Sequence, residues 1–310
     1  MLSQPLQALE QESVTASSPS APESVQSTTA TKEEFTAKLT AEQTCRRIGN
    51  KLGSVSVREC LDLDLQAAGG VSTLGTPILV KEFPPLPSRE PQARVLLIGG
   101  IHGDEYSSVS VVFKWLKTLN AHHSGLFHWI VSPLVNPDGL LDFRPSQRMN
   151  ARGVDLNRNF PTTDWQQEST DYWIRRTGRD KRRYPGPGPL SEPESQWVAK
   201  VIEQFKPNVI ISVHAPYNVL DFDGPPVAPP RKLGHLYLDL MGTYPGSLGR
   251  YAGIIEGIPV ITIELTYAGI MPTDHQIRKI WVDMVRWLSR NAHDRKPDTQ
   301  IPALRSPASR

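Results

Sequence analysis

The sequence predicts an α/β fold, a three-layer α/β/α architecture around a mixed, mostly parallel central sheet. Three observations carry that prediction. Short runs rich in Val, Ile and Leu, such as Arg94 to Gly99 and Asn208 to Val213, have the continuous hydrophobicity of strands buried on both faces. Segments with apolar residues at helical spacing stand between them, and that alternation places helices on both faces of a parallel sheet. His102, Asn136, His214 and Glu264 each fall at or just past the C-terminal end of an expected strand, where open α/β sheets bind ligands.

Taken in order, residues 1–40 are dominated by Ser, Thr, Ala, Pro, Gln and Glu. They bury too little apolar surface to offset their ordering entropy and are expected to form a disordered tail. One domain, residues 41–295, should follow, with a loose tail over 296–310. Thr40 to Leu52 suits a short helix, and Ser54 to Leu65 alternates loosely, as a strand does. The Gly- and Thr-rich stretch from Gly70 to Pro77 turns into a strand over Ile78 to Phe83. Val109, Val112, Phe113, Leu116 and Leu119 lie on one face of a helix after the Arg94–Gly99 strand. A strand over His128 to Val135 stops at Asn136-Pro137-Asp138-Gly139, a turn signal. Leu140 to Gly188 is long and polar, and loops of that length inside a domain are usually functional. Ser191 and Glu194 have capping-box spacing ahead of a helix that Pro207 ends. Strands over Asn208–Val213 and Val260–Leu265 and a helix from Thr273 to about Arg290 complete the series.

The 310 residues suffice for one large domain, and a net charge of +2 argues against nucleic-acid or membrane partners. Cys45 and Cys60 lack C-x-x-C spacing. A disulfide between them stays open, and two free thiols in a reducing compartment is the expected state. No window reaches the roughly 18 apolar residues of a membrane span. The N-terminus shows no basic region followed by an apolar one, so the expected location is cytoplasmic.

The loop after Gly99 carries His102 and Glu105 as H-x-x-E, and imidazole and carboxylate are zinc ligands. With His214 they would give Zn²⁺ three protein ligands and leave a fourth position for water, the arrangement of a catalytic site. Glu264 is then the candidate base. Alone, each residue has a blander reading: H-x-x-E recurs by chance, and a His or Glu ending an apolar strand is ordinarily structural or solvated. Arg148, Arg152, Asp155, Asn157 and Arg158 crowd into RMNARGVDLNRNFP, where guanidinium groups can hold carboxylates and stabilise an oxyanion. A solvated, salt-bridged loop is the default there too.

In order and approximate spacing, H-x-x-E, NPDG (Asn136 to Gly139), R-x-N-x-x-G-V-D-L-N-R-N-F (Arg148 to Phe160), the distant His214 and T-x-E-L (Thr262 to Leu265) resemble the zinc carboxypeptidase family of carboxypeptidase A type. The likeness spans roughly Gly70 to Arg290 and is greatest to the bacterial murein peptide amidases. It implies one Zn²⁺ on His102, Glu105 and His214, with Glu264 activating water and Arg148 stabilising the oxyanion. Asn157 and Arg158 would hold the substrate's free α-carboxylate, and Asp155 would support His102.

Two departures accompany the likeness. Arg152 stands where those amidases have a non-basic residue and competes with Arg148. Tyr244 is the nearest counterpart of a mobile tyrosine over bound substrate, at a shorter offset than expected. The implied substrate is a small peptide, the murein tripeptide, cut between γ-D-glutamate and meso-diaminopimelate. A general metallocarboxypeptidase or N-acyl amino acid deacylase is the alternative, and a non-catalytic peptide-binding protein a third reading. Leu248, in the expected pocket from Leu248 to Ile254, suggests no buried counter-charge for the leaving side chain. The Arg-rich stretch from Arg175 to Arg183 is expected to be mainly a solvated face.

Overall fold

The computed structural model describes residues 37–293, apart from 164 and 226. The expected tails lie outside the described residues except for 37–40, where Thr40 caps the first helix. The main sheet contains β1 (Gln66–Val71), β2 (Pro77–Phe83), β3 (Ala93–Gly99), β4 (Phe127–Ser132), β5 (Val209–His214) and β6 (Val219–Asp223). A small ribbon of β7 (Lys232–Leu233) and β8 (Leu236–Tyr237) precedes its last strand, β9 (Val260–Glu264). The spatial order is β1-β2-β4-β3-β5-β9-β6. The central β4, β3, β5 and β9 run parallel, and β1, β2 and β6 add antiparallel margins. The expected α/β/α class, with a mixed and mostly parallel sheet, is the observed one.

Seven α-helices accompany these strands among the described residues: α1 (Ala41–Lys51), α2 (Val57–Leu61), α3 (Tyr106–His122), α4 (Pro137–Leu141), α5 (Thr170–Arg175), α6 (Pro193–Phe205) and α7 (Asp274–Asn291). On one face of the sheet Ile48, Trp115, Leu116, Ile280 and Met284 pack with Leu97 and Ile211. On the other, Trp197, Val198 and Ile202 of α6 pack with Leu96, Ile98 and Ile210. Each fully buried aliphatic side chain contributes roughly 1.5–3 kcal/mol. This apolar sandwich therefore holds the frame and leaves the polar strand ends available for chemistry.

Several local expectations fail for identifiable reasons. Ser54 to Leu65 contains α2 and no strand, because Ser56 and Glu59 form a reciprocal capping box. Asn136 to Gly139 opens α4, with Asn136 Oδ1 accepting the Gly139 N–H at 2.9 Å. The Ser191–Glu194 box does not form: Glu192 is the N-cap residue, and the Glu194 carboxylate instead accepts the Thr73 N–H at 2.9 Å. Cys45 and Cys60 are not free thiols. The packing of α1 on α2 brings their Cα atoms to 5.4 Å, and they form a disulfide. Among the described residues no helix is long and apolar enough to cross a membrane.

Candidate metal centre

The sheet positions the site by reversing direction at its middle. From β3 the chain goes through α3 to β4 on one side, whereas β5 lies against β3 on the other. The carboxyl ends of β3 and β5 therefore border a crevice, the position where such sheets bind ligands. His102 lies just past β3, Glu105 is the N-cap residue of α3, and His214 closes β5. Gly103 passes so close to Gly139 that a Cβ there would overlap its backbone, which presses the His102–Glu105 loop onto the NPDG turn.

All three side chains are buried, and their ligand atoms lie within 4.8 Å of one another. His102 Nδ1 is 2.7 Å from Glu105 Oε1, and His214 Nδ1 is 3.2 Å from Glu105 Oε2. The two Nδ1 atoms face each other across 3.2 Å. The distal nitrogens are held from behind, His102 Nε2 by Asp155 Oδ1 at 3.2 Å and His214 Nε2 by Ser212 Oγ at 2.9 Å. That arrangement directs both Nδ1 lone pairs inward. Two imidazoles and a carboxylate converging on one point, each imidazole oriented by a second partner, fit the donor set of a catalytic zinc site.

Around the cluster, charges alternate. Asp155 is fully buried and accepts the Arg148 Nε–H at 3.0 Å and the Asn157 N–H at 3.0 Å. Burial would raise its pKa, but Arg148 and His102 outweigh burial and hold it well below the usual range. Burial would equally lower the Arg148 pKa, and Asp155 and Glu105 raise it instead. Glu105 is likewise held low by His102 and His214 against its burial. Glu264 differs. It lies opposite His214 in the β5–β9 register, and burial pushes its carboxyl upward, as a general base requires.

His102, Glu105, Arg148, His214 and Glu264 line one cavity of about 410 Å³ together with Asn157, Arg158, Tyr244 and Leu248. Arg158 is only 5% exposed; its Nη1 donates to the Asn157 carbonyl, while Nε has no hydrogen-bond partner. Burial lowers its pKa, so the cation is under-compensated and suited to an incoming anion. The Tyr244 ring lies over its guanidinium, 4.4 Å from the ring centroid. The Asn157 side chain accepts the Leu248 N–H at 2.8 Å and so ties the Arg-bearing loop to the far wall. Arg152 is exposed and does not line the cavity, whereas Arg148 does. Sequence reading missed Ser212, whose i, i+2 spacing to His214 was a usable signal, and also Asp221 and Asp223, while Arg183, from the stretch expected to be mainly a solvated face, lines the cavity as well. The expectation of no buried counter-charge in the pocket is corrected: Asp221 and Asp223 are buried and line it beside Leu248.

Comparison with known proteins gives four findings. Residues 66–222 match the model of a family described as zinc carboxypeptidase. Murein peptide amidase A of Escherichia coli (strain K12) is 40% identical over 154 residues, 47% of this chain and 57% of that protein. The chain thus spans little more than half the length of that relative. Murein peptide amidase A of Vibrio campbellii is 33% identical over 203 residues, 63% of this chain and 77% of that protein. The crystal structure of murein-tripeptide amidase from E. coli O157 superposes with a TM-score of 0.51 at 30% identity, covering 71% of this chain and 89% of that one.

Proposed function

The chain belongs to the zinc carboxypeptidase family, and on that footing we propose a zinc-dependent hydrolase that cleaves an amide bond next to a residue bearing a free carboxylate. The observation that carries this reading is the sharing of one cavity by the His102–Glu105–His214 cluster, Glu264 and the under-compensated Arg158. Residues 41–295 are its catalytic domain. When held by His102, Glu105 and His214, one zinc ion supplies a Lewis acid that polarises the scissile carbonyl and acidifies water.

The rest is done by the chain's own side chains. Glu264 takes a proton from the attacking water and delivers it to the leaving amine. Arg148, steadied by its 3.0 Å bond to Asp155, donates to the carbonyl oxygen as negative charge develops there. Asn157 and Arg158 hold the free α-carboxylate, and the Tyr244 ring covers the bound residue from the Arg158 side. Asp155 joins the two halves of the site, because it orients both His102 and Arg148.

For substrate we propose the murein tripeptide, cut between γ-D-glutamate and meso-diaminopimelate; the amidase names of the relatives at 33% and 40% identity support it. Mass-spectrometric product analysis tests this with zinc-loaded protein, L-Ala-γ-D-Glu-meso-diaminopimelate and a hippuryl-type peptide. Release of diaminopimelate is expected. Cleavage of the hippuryl peptide alone would replace the murein reading with general carboxypeptidase activity. As for compartment, the Cys45–Cys60 disulfide favours an oxidising location over the cytoplasm. Non-reducing peptide mapping of protein taken from cells tests that point, and free thiols would return the cytoplasm.

A further inference from the structure

We infer that Arg183, at the rim of the cavity, selects substrates whose acyl side carries a carboxylate of its own, as a glutamate linked through its side chain does. The inference rests on the hydrolase reading above and adds a specificity determinant to it. The stretch from Arg175 to Arg183 holds six cations and one acid, Asp180, against a net charge of +2 for the whole chain. Most of it faces solvent, but its last residue lines the cavity of the metal centre.

Several contacts fix where that residue stands. Asp180 Oδ1 accepts the Arg182 N–H at 2.9 Å and caps the single 3₁₀ turn Lys181–Arg183. Trp173 Nε1 donates to the Asp180 carbonyl at 2.8 Å, and the Trp173 ring packs on Tyr184 with centroids 4.9 Å apart. The Tyr184 carbonyl accepts the Asp155 N–H at 2.8 Å, which joins the turn to the loop that bears Arg158. On the other side Arg182 pairs with Asp104 at 2.7 Å, and Asp104 stands between His102 and Glu105 in the chain. The turn thus bridges the carboxylate-binding loop and the metal-ligand loop, and the hydrolase reading places the scissile bond between them.

Arg182 is matched by Asp104, whereas Arg183 has no such partner. Its only ion pair among the described residues is a 3.7 Å contact with Asp180, longer than a hydrogen bond, and its side chain is 35% exposed. Arg158 is 5% exposed, so the two guanidinium groups mark the rim and the depth of one cavity. The Arg183 charge helps to lower the Arg158 pKa, so the two cations oppose each other there. A ligand with one carboxylate satisfies Arg158 and leaves Arg183 to solvent; a second carboxylate nearer the rim compensates both. With the leaving residue's α-carboxylate deep on Arg158, the rim meets the acyl portion of the substrate, which extends outward past the metal ligands. In an ordinary α-linked peptide the acyl residue's α-carboxyl is taken up in the amide. A γ-linked glutamate keeps it free, at the end of a short chain that can reach a guanidinium fork.

Isothermal titration calorimetry tests this on the zinc-loaded full chain carrying Glu264→Gln, which lets the peptides survive the titration. The probes are L-Ala-γ-D-Glu-meso-diaminopimelate and its analogue with γ-aminobutyrate in place of γ-D-glutamate, identical but for the missing carboxylate. With Arg183 present, the tripeptide is expected to bind roughly tenfold or more tightly than the analogue. Adding Arg183→Gln should compress that ratio to about twofold by weakening the tripeptide alone, and Arg183→Lys should restore part of it. Equal binding of the pair with Arg183 present, or no binding of either, overturns the inference. So does an Arg183→Gln that weakens both alike or leaves the ratio unchanged. Replacing diaminopimelate by L-lysine in both probes removes the distal carboxylate of the leaving residue. If that change abolishes the Arg183 effect, the rim serves the leaving residue and the inference falls. A retained ratio in a protein whose wild type cuts neither the tripeptide nor the hippuryl peptide would instead overturn the hydrolase reading and leave the subsite standing.

Discussion

Two clusters of buried carboxylates lie on either side of the Arg148–Phe160 loop, and they solve the same electrostatic problem differently. In the metal-centre cluster, Glu105 and Asp155 are matched by two imidazoles and Arg148, and the group opens onto a cavity. Behind the loop, Glu192 and Glu194 are fully buried with no ion-pair partner among the described residues, and Asn150 Nδ2 donates to both, at 2.6 and 3.1 Å. Asp138 completes that group by accepting from the Ser72 hydroxyl and the Leu74 N–H. There hydrogen bonds compensate the acids, and burial raises the Glu194 pKa to about 7. Buried charge therefore does not by itself mark a site. Access to a cavity does, and the first cluster has it, with the unpaired Nε of Arg158 lining the same cavity.

The comparison breaks most visibly at Glu264. Glu264→Gln keeps the shape of the cavity and removes the base, so kcat should fall by roughly 10²–10⁴-fold in steady-state assays while zinc content is unchanged. A variant with near-normal kcat would remove Glu264 from the mechanism. Next in size is Arg148→Met, expected to lower kcat by about 10²–10³-fold, with a smaller effect on KM. An effect on KM alone would make Arg148 a ground-state binding group.

The closed cluster should respond in stability instead. Asn150→Ala leaves two buried carboxylates without their common donor and should cost roughly 1–3 kcal/mol in urea unfolding, with metal content unaffected. Unchanged stability would mean that the network rearranges freely. The smallest effect is Glu194→Gln. The folded-state value of about 7 exceeds the ordinary 4.5, so between these pH values the folded chain holds a proton that the unfolded chain has released. This contribution is fully present below about pH 4.5, declines as pH rises towards 7, and is level above. Gln is neutral throughout, so the variant should match wild type near the acid end and unfold at higher urea above pH 7. A variant less stable than wild type at pH 8 would contradict a protonated Glu194.

Much of the metal centre was legible because its parts are local motifs at the ends of strongly apolar strands. H-x-x-E after β3, His214 after β5 and Glu264 ending β9 need only the strand ends to be located. The pocket wall was not legible in the same way. β6 reads VLDFD followed by Gly-Pro-Pro, and two acids in a five-residue run disguise an edge strand whose polar face turns inward. The disulfide depends on how α1 packs against α2, which no spacing of cysteines reveals. Glu194 has the position of a capping residue, and only the approach of Thr73, from 121 residues away, draws its carboxylate into the interior.

The central claim is that the ends of β3 and β5 assemble one metal centre. Its most direct test is the metal content of purified wild type and His214→Ala, read by native mass spectrometry after equilibration with limiting zinc. One zinc per wild-type chain and none on the variant is the predicted result. A metal-free wild type, or zinc retained by His214→Ala at equal affinity, would contradict the account.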